Sequence, residues 1–200
     1  MTWIQTYTGR AFSYQDVIDG KEPDICLLDI AVPLSNLCRF AGHCPAFYSV
    51  AEHTVLVASI AAQDPAIDDE PLRQLVAQCA LLHDAAEAYV CDLPKPLKSF
   101  QGAGEFYPRL EELVSKAIFR HFSVEPSQVA MDIVKRADVL ALAVEKSAMF
   151  PESPRDWEIP ECPPGFQVLH LSPTNAKWNF LEACMRAGFL KRTANGIEVK

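Results

Sequence analysis

The chain has 200 residues, half of them hydrophobic, which supplies one sizeable core rather than two. A net charge of −8 and a sequence pI near 5.1 exclude a general nucleic-acid binder, which needs a basic face. The longest apolar runs are too short to span a bilayer. The opening "MTWIQTYTGR" has neither the basic nor the apolar region of a signal peptide. The seven cysteines are scattered (Cys26, Cys38, Cys44, Cys79, Cys91, Cys162, Cys184) and none forms a Cys-x-x-Cys pair. That pattern argues against a zinc ribbon or a disulfide framework. It fits small core or surface residues in a reducing cytoplasm.

In chain order, "WIQTY" alternates apolar and polar residues and predicts a short strand. "LDIAVPLSNLCRF" predicts a short helix with Asp29 as N-cap. "SVAEHTVLVASIAAQ" (49–63) starts at a serine and has helical apolar spacing, with Glu52 expected to face solvent. "PLRQLVAQCALLHDAAEAYV" (71–90) is the clearest long helix, with Pro71 at its first position. "DLPKPLK" reads as a turn, because two prolines in three residues cannot continue a helix. Residues 106–122 and 126–150 read as amphipathic helices. Residues 151–165 carry five prolines and read as an ordered surface loop or lid. "FQVLHL" reads as a strand, and "SPTNAKWNFLEACMRAGF" as the helix that ends the domain. The expected fold is mainly α, a single compact helical domain over residues 1–200 with minor short strands.

One stretch, "ALLHDAAEAYV", places three costly polar groups on a helix meant for a core. At about 100° per residue, Asp84 lies about 100° and Glu87 about 40° around the helix from His83. Val76 and Ala80 project to the same side, so the polar groups end a buried stripe. Carboxylates there are penalised unless a partner neutralises them, and a divalent cation would do so. His53 and Asp138, each inside another apolar helix, complete a candidate ligand set with His83 and Asp84. Two imidazoles and two carboxylates suit Mn, Fe, Co or Zn better than Ca.

On these residues the sequence resembles the HD-domain phosphohydrolases, whose signature is a His, a His-Asp doublet and a late Asp on separate helices. "LCRFAGHCPAFYSVAEHTVLVA", "ALLHDAAEAYVCDLPKPLK" and "KRADVLALAVE" resemble the bacterial 5′-deoxynucleotidase branch. They equally resemble related phage triphosphohydrolases of deoxynucleotides, dATP in particular. The likeness covers roughly residues 1–150. It implies metal ligation by His53, His83, Asp84 and Asp138, and orientation or deprotonation of the attacking water by Glu87. It implies that Arg39 grips the phosphate beside the scissile bond and that Lys95 or Lys98 holds further phosphate oxygens. Asp92 would accept a hydrogen bond from the sugar 3′-hydroxyl. Phe40, where relatives often have Trp, would fill the space at C2′ and disfavour ribose.

The resemblance further implies one divalent transition metal (Co, Mn, Zn or Fe), with a second divalent ion on the phosphates as an option. Attack at the α-phosphorus of a deoxyribonucleotide would release the nucleoside and either phosphate or tripolyphosphate. The expected partner is this small nucleotide, with no polymeric nucleic acid, no membrane and a homo-oligomeric state. Two other readings stay open at this point: an HD-type di-iron oxygenase, which needs ligands such as His43 beyond the set, and a silent nucleotide-binding protein. Other roles are open too. Arg39 could serve a helix C-terminus, Asp92 a turn and Phe40 the core, while Glu145 shares the Asp138 face and could support the site.

Overall fold

The computed structural model describes residues 2–100, 105–193 and 196–199. It is mainly helical, as the apolar spacing predicts. The chain opens with a hairpin of β1 (Trp3–Gln5) and β2 (Ala11–Ser13), antiparallel with Ile4 opposite Phe12. A short α1 (Tyr14–Ile18) leads to α2 (Leu27–Asn36) and then to a 3₁₀ turn at Phe40–Gly42. Next come α3 (Val50–Ala61), α4 (Glu70–Leu82), α5 (Glu87–Val90) and α6 (Lys95–Lys98). The longer α7 (Phe106–His121), α8 (Gln128–Met149) and α9 (Pro173–Arg186) follow. An antiparallel hairpin of β3 (Leu190–Thr193) and β4 (Gly196–Val199) lies beyond the helix expected to end the domain. No described helix is long and apolar enough to cross a membrane.

Helix α3 is the axis of the fold, packed against α2, α4, α8 and α9. It is buried on nearly every side, so any polar residue it carries must find a partner inside the protein. Its start is fixed locally, as the serine at the head of the motif predicts: Ser49 Oγ accepts from the Glu52 amide at 3.1 Å. Asp69, Ser127 and Ser172 cap α4, α8 and α9 in the same way. Each such cap is worth about 1 kcal/mol.

Several expectations need correction. The N-cap of α2 is Cys26, not Asp29. Asp29 lies in the first turn and is buried. Its carboxylate accepts from the Thr8 amide (2.7 Å) and from the Thr8 and Thr6 hydroxyls (2.6 and 2.9 Å). It therefore ties the β1–β2 turn to α2, a long-range role that the cap rule does not capture. Pro71 is the second residue of α4, behind Glu70. "KPLK" forms a single helical turn, α6, because Pro96 near its start needs no amide partner there.

"FQVLHL" forms no strand. The Leu169 and His170 amides donate to Glu52 Oε1 at 2.7 and 2.9 Å, and the Leu171 amide donates to Oε2 at 2.8 Å. A carboxylate replaces the neighbouring strand, and Glu52, expected in solvent, is buried. Residues 151–165 do form an extended loop, which turns Trp157 inward against Phe150 and Phe40.

Candidate metal centre

The continuous helix expected over 71–90 breaks at the His-Asp doublet. α4 stops at Leu82, residues 83–86 form turns, and α5 restarts at Glu87. The amides of Ala85, Glu87 and Tyr89 bond three residues back, to Leu82, Asp84 and Ala86. His83 Nδ1 takes the Ala80 carbonyl at 2.7 Å, where an unbroken helix would place the Asp84 amide. This bond fixes the tautomer and turns Nε2 of His83 away from its own helix.

His53 reaches the same point from α3. Its Nδ1 donates to Glu145 Oε1 of α8 at 2.5 Å, and the Tyr48 hydroxyl donates to the same oxygen at 2.9 Å. Glu145 is wholly buried, so the support that its shared face with Asp138 suggested is direct. Asp138, half-exposed on α8, brings Oδ1 to 3.2 Å from His53 Nε2. Asp84 Oδ2 lies 3.5 Å from His53 Nε2 and 3.2 Å from His83 Nε2. One ligand atom from each of His53, His83 and Asp138 falls within 4.8 Å of the others, so this group can hold a metal ion.

The strongest sign that a partner belongs here is a set of unmet polar atoms. Among the described residues, the buried side-chain atoms without a hydrogen-bond partner are Arg39 Nε, His53 Nε2, His83 Nε2, Glu87 Oε2 and Tyr89 Oη. All but Tyr89 belong to this cluster. Leaving a buried polar group unpaired costs about 1–3 kcal/mol, so their concentration at one point calls for a ligand. A divalent ion fits: both imidazoles present lone pairs and two carboxylates supply charge.

The charges reinforce this. Burial and the Arg39 charge oppose protonation of His53, yet Glu145 and Asp138 outweigh them and hold it up at about 10. Burial opposes protonation of His83 too, and Asp84 prevails. The surplus negative charge thus draws a proton or a cation to the same nitrogens, and the two compete. Burial raises the Asp84 carboxyl, but His83, His53 and Arg39 hold it well below the carboxylate range.

Glu87 is buried at the start of α5. Burial, then the charges of Asp84 and Asp92, push its carboxyl up to about 9 against the pull of Lys98 and Arg39. Lys98 Nζ stands 3.3 Å from Glu87 Oε1 and 2.7 Å from Glu111 Oε1 of α7. The sequence reading missed Glu111 and Tyr48. Neither carries a local signal, because each acts through a residue distant in the chain. His83, Asp84, Glu87, Lys98 and Glu111 line an open cleft of about 290 Å³.

Arg39 lies beyond the end of α2 and turns inward. Its Nη2 is 3.4 Å from Glu145 Oε2 and its Nη1 is 3.7 Å from Asp84 Oδ2. Burial disfavours the guanidinium charge, but Glu145 and then Asp84 hold it protonated. Phe40 follows it, half-buried, with its ring 5.1 Å from Phe150 and 6.2 Å from Trp157. Asp92 is half-buried. Burial and Asp84 push its carboxyl up, while Arg39 and Lys98 oppose, so it feels the site's charges. Lys95 is exposed and, unlike Lys98, makes no ion pair among the described residues. His43 is exposed and stands outside the ligand group.

Three of the six positive-φ non-glycine residues among the described ones lie next to Arg39 or Asp92, the others being Ser123, Glu158 and His170. Phe40 (φ 57°), Ala41 (φ 51°) and Cys91 (φ 70°) adopt left-handed angles without being glycine. Such residues cost about 1–3 kcal/mol each and persist where surrounding structure holds them, often at functional sites.

No family model matches the chain. It is 33% identical over 162 residues to an uncharacterized protein of Rhodobacter capsulatus, a match covering 77% of each chain. It is 37% identical over 185 residues to the uncharacterized protein YfdR of Escherichia coli K12, covering 91% of this chain and 93% of YfdR. A likeness of that identity and extent shows that the chain belongs to the family of YfdR.

Proposed function

We propose that the protein is a divalent-metal-dependent phosphohydrolase of the HD-domain type. It acts on deoxyribonucleotides at the 5′ α-phosphate and releases the deoxynucleoside with phosphate or tripolyphosphate. The observation that carries this reading is the convergence of unmet buried atoms from His53, His83, Glu87 and Arg39 beside the Asp84 and Asp138 carboxylates. His53, His83, Asp84 and Asp138 would hold the ion, of the Mn, Co, Zn or Fe class. Bound there, it supplies Lewis-acid charge and an activated water.

The remaining steps fall to the chain's own groups. Glu87 lines the cleft and has no partner on Oε2; it would orient the attacking water, and would take its proton once the charge of a bound cation draws its carboxyl down from about 9. Arg39 offers Nε and the edges of a rigid guanidinium to phosphate oxygens. Lys98 holds Glu87 in place and adds positive charge to the cleft, which phosphoryl transfer needs for the oxygens around phosphorus. Lys95, being exposed, would serve only the far end of a polyphosphate, where a second divalent ion could also sit. Asp92 would take the sugar 3′-hydroxyl and Phe40 would exclude the 2′-hydroxyl. A cytoplasmic setting and a homo-oligomeric state belong to the same proposal.

The silent-binder reading gains nothing from the site, because a binder has no use for a buried carboxylate held beside the ligand group. The di-iron reading would need His43, which lies outside that group. The deciding experiment is a screen of deoxy- and ribonucleoside mono-, di- and triphosphates with Mn, Co and Zn, following phosphate and tripolyphosphate release. Release from deoxynucleotides that depends on the added metal is expected. No release with any metal from any nucleotide would reject the proposal.

A further inference from the structure

We propose that Cys38 and Cys44 are a modification site: a dithiol pair that a small-molecule disulfide oxidises to a reversible bridge, locking the Arg39–Gly42 turn. All seven cysteines are free thiols, and the sequence gives no reason to separate these two from the rest. The fold does. Their sulfurs lie 3.5 Å apart, and both residues are half-buried and so within reach of a small oxidant. Among the described residues no other pair of sulfurs is in contact. Cys79 and Cys184 are buried, Cys91 and Cys162 are exposed, and Cys26 points its sulfur at Asp29.

The position of the pair gives it a consequence. Cys38 pairs with Ser49 in an isolated antiparallel bridge, and the Arg39 amide donates to the Tyr48 carbonyl at 2.9 Å. This end of the turn is therefore anchored to the start of α3. Phe40, Ala41 and Gly42 then run through three successive positive φ angles of 57°, 51° and 79°. They are held within the turn by bonds from Gly42 N to Arg39 O (3.1 Å) and from His43 N to Phe40 O (2.9 Å). Cys44 closes the segment. A bridge would enclose residues 38–44 in one small ring, with both Arg39 and Phe40 on it. Bridging would draw the sulfurs in from 3.5 Å to the bonded distance of about 2.05 Å. The strained turn would then be fixed covalently instead of by weak contacts alone.

The chemistry balances with oxidised glutathione as the oxidant. One cysteine thiolate attacks the glutathione disulfide, forms a mixed disulfide and releases one glutathione. The second cysteine thiolate attacks the protein sulfur of that mixed disulfide and releases the other. Two protein thiols are oxidised, one glutathione disulfide is reduced, and the two thiol protons end on the two glutathiones. Burial, with the neighbouring Cys38 sulfur, raises the Cys44 thiol to about 11, so the exchange is slow at neutral pH and faster in mild alkali.

The test treats the full chain with oxidised glutathione at mildly alkaline pH, then maps disulfides in non-reduced digests. The expected product is a peptide pair joining Cys38 to Cys44, short of two hydrogen atoms and restored by dithiothreitol. Hydrogen exchange of the Arg39, Gly42 and His43 amides reads the lock. It should slow by about tenfold on oxidation, and the slowing should vanish in Cys44→Ser. Two free thiols, two separate glutathione adducts or bonds to other cysteines would overturn the bridge. A bridge with unchanged exchange would overturn the lock. Neither readout needs an activity. That oxidation would also alter Arg39's hold on phosphate rests on the phosphohydrolase reading, whose failure would leave the mapping and exchange results standing.

Discussion

Glu52 and Glu87 are both buried carboxylates on or beside the helices that build the site, and they are treated in opposite ways. Glu52 accepts three backbone N–H groups from residues 169–171 and has no unmet atom. Glu87 has Lys98 on one oxygen and nothing on the other. The first arrangement spends a charge on fastening a segment that has no strand partner. The second leaves one carboxyl oxygen without a partner beside a cleft, where burial and the charges of Asp84 and Asp92 push the group up to about 9. Burial alone therefore does not single out a candidate carboxylate; the unmet oxygen is what separates Glu87 from Glu52. Asp29, fully engaged, falls on the structural side with Glu52, whereas Glu145, also fully engaged, holds His53 and Arg39 at the ligand group.

Breaking the ligand group should give the largest effect. His53→Ala and Asp84→Ala are each expected to abolish hydrolysis and metal retention, measured as bound metal after dialysis. Full metal stoichiometry with normal turnover in either variant would mean that the ligand set is misassigned. Glu145→Gln, one step removed, should weaken metal affinity by about 10- to 100-fold while the fold persists.

The two glutamates give the sharpest contrast. Glu87→Gln should retain the metal and lose about 10²- to 10⁴-fold in kcat. Its thermal midpoint should stay near that of the parent, since the carboxylate is poorly satisfied to begin with. Glu52→Gln should do the reverse, with kcat changed far less and stability lowered by about 2–3 kcal/mol as charge-assisted bonds to the backbone are lost. If both variants lowered the midpoint equally and left kcat alone, the distinction between them would collapse.

On the structural side, Asp29 gives a pH signature. Burial raises its carboxyl, but the bonds from Thr8 and Thr6 outweigh burial and hold it below the ordinary range. A depressed folded-state pKa adds stability that is present above the unfolded value of about 3.9 and is lost as pH falls through the folded one. Denaturant midpoints measured from pH 6 downward should therefore fall more steeply in the parent than in Asp29→Asn. Parallel curves would remove Asp29 from the account.

The smallest effect is expected at Phe40. Its ring stands beside Phe150 and Trp157, so the wall next to Arg39 is aromatic on more than one side. If the proposed activity holds, the protein should prefer dATP to ATP and dAMP to AMP in kcat/KM. Phe40→Ala should relax that choice mainly by improving the ribonucleotides. Equal kcat/KM for both sugars in the parent would return Phe40 to a packing role.

The sequence by itself determined where the long helices start and named four of the groups that meet, His53, His83, Asp84 and Asp138. Apolar spacing and capping serines are local signals, so the starts of α3 and α8 and the amphipathic α7 were legible to within a residue or two. His53, His83, Asp84 and Asp138 stood out because each interrupts an apolar face. What only the tertiary structure decided is where buried polar atoms find partners. Helix α4 ends at Leu82 because His83 takes the Ala80 carbonyl. Residues 169–171 avoid a sheet because Glu52 takes their amides, and Lys98 rather than Lys95 reaches the cleft because Glu87 and Glu111 draw it. Periodicity reports which face of an element is buried. It carries no information about which distant donor or acceptor will satisfy a charge on that face, since that choice depends on elements brought together only by folding.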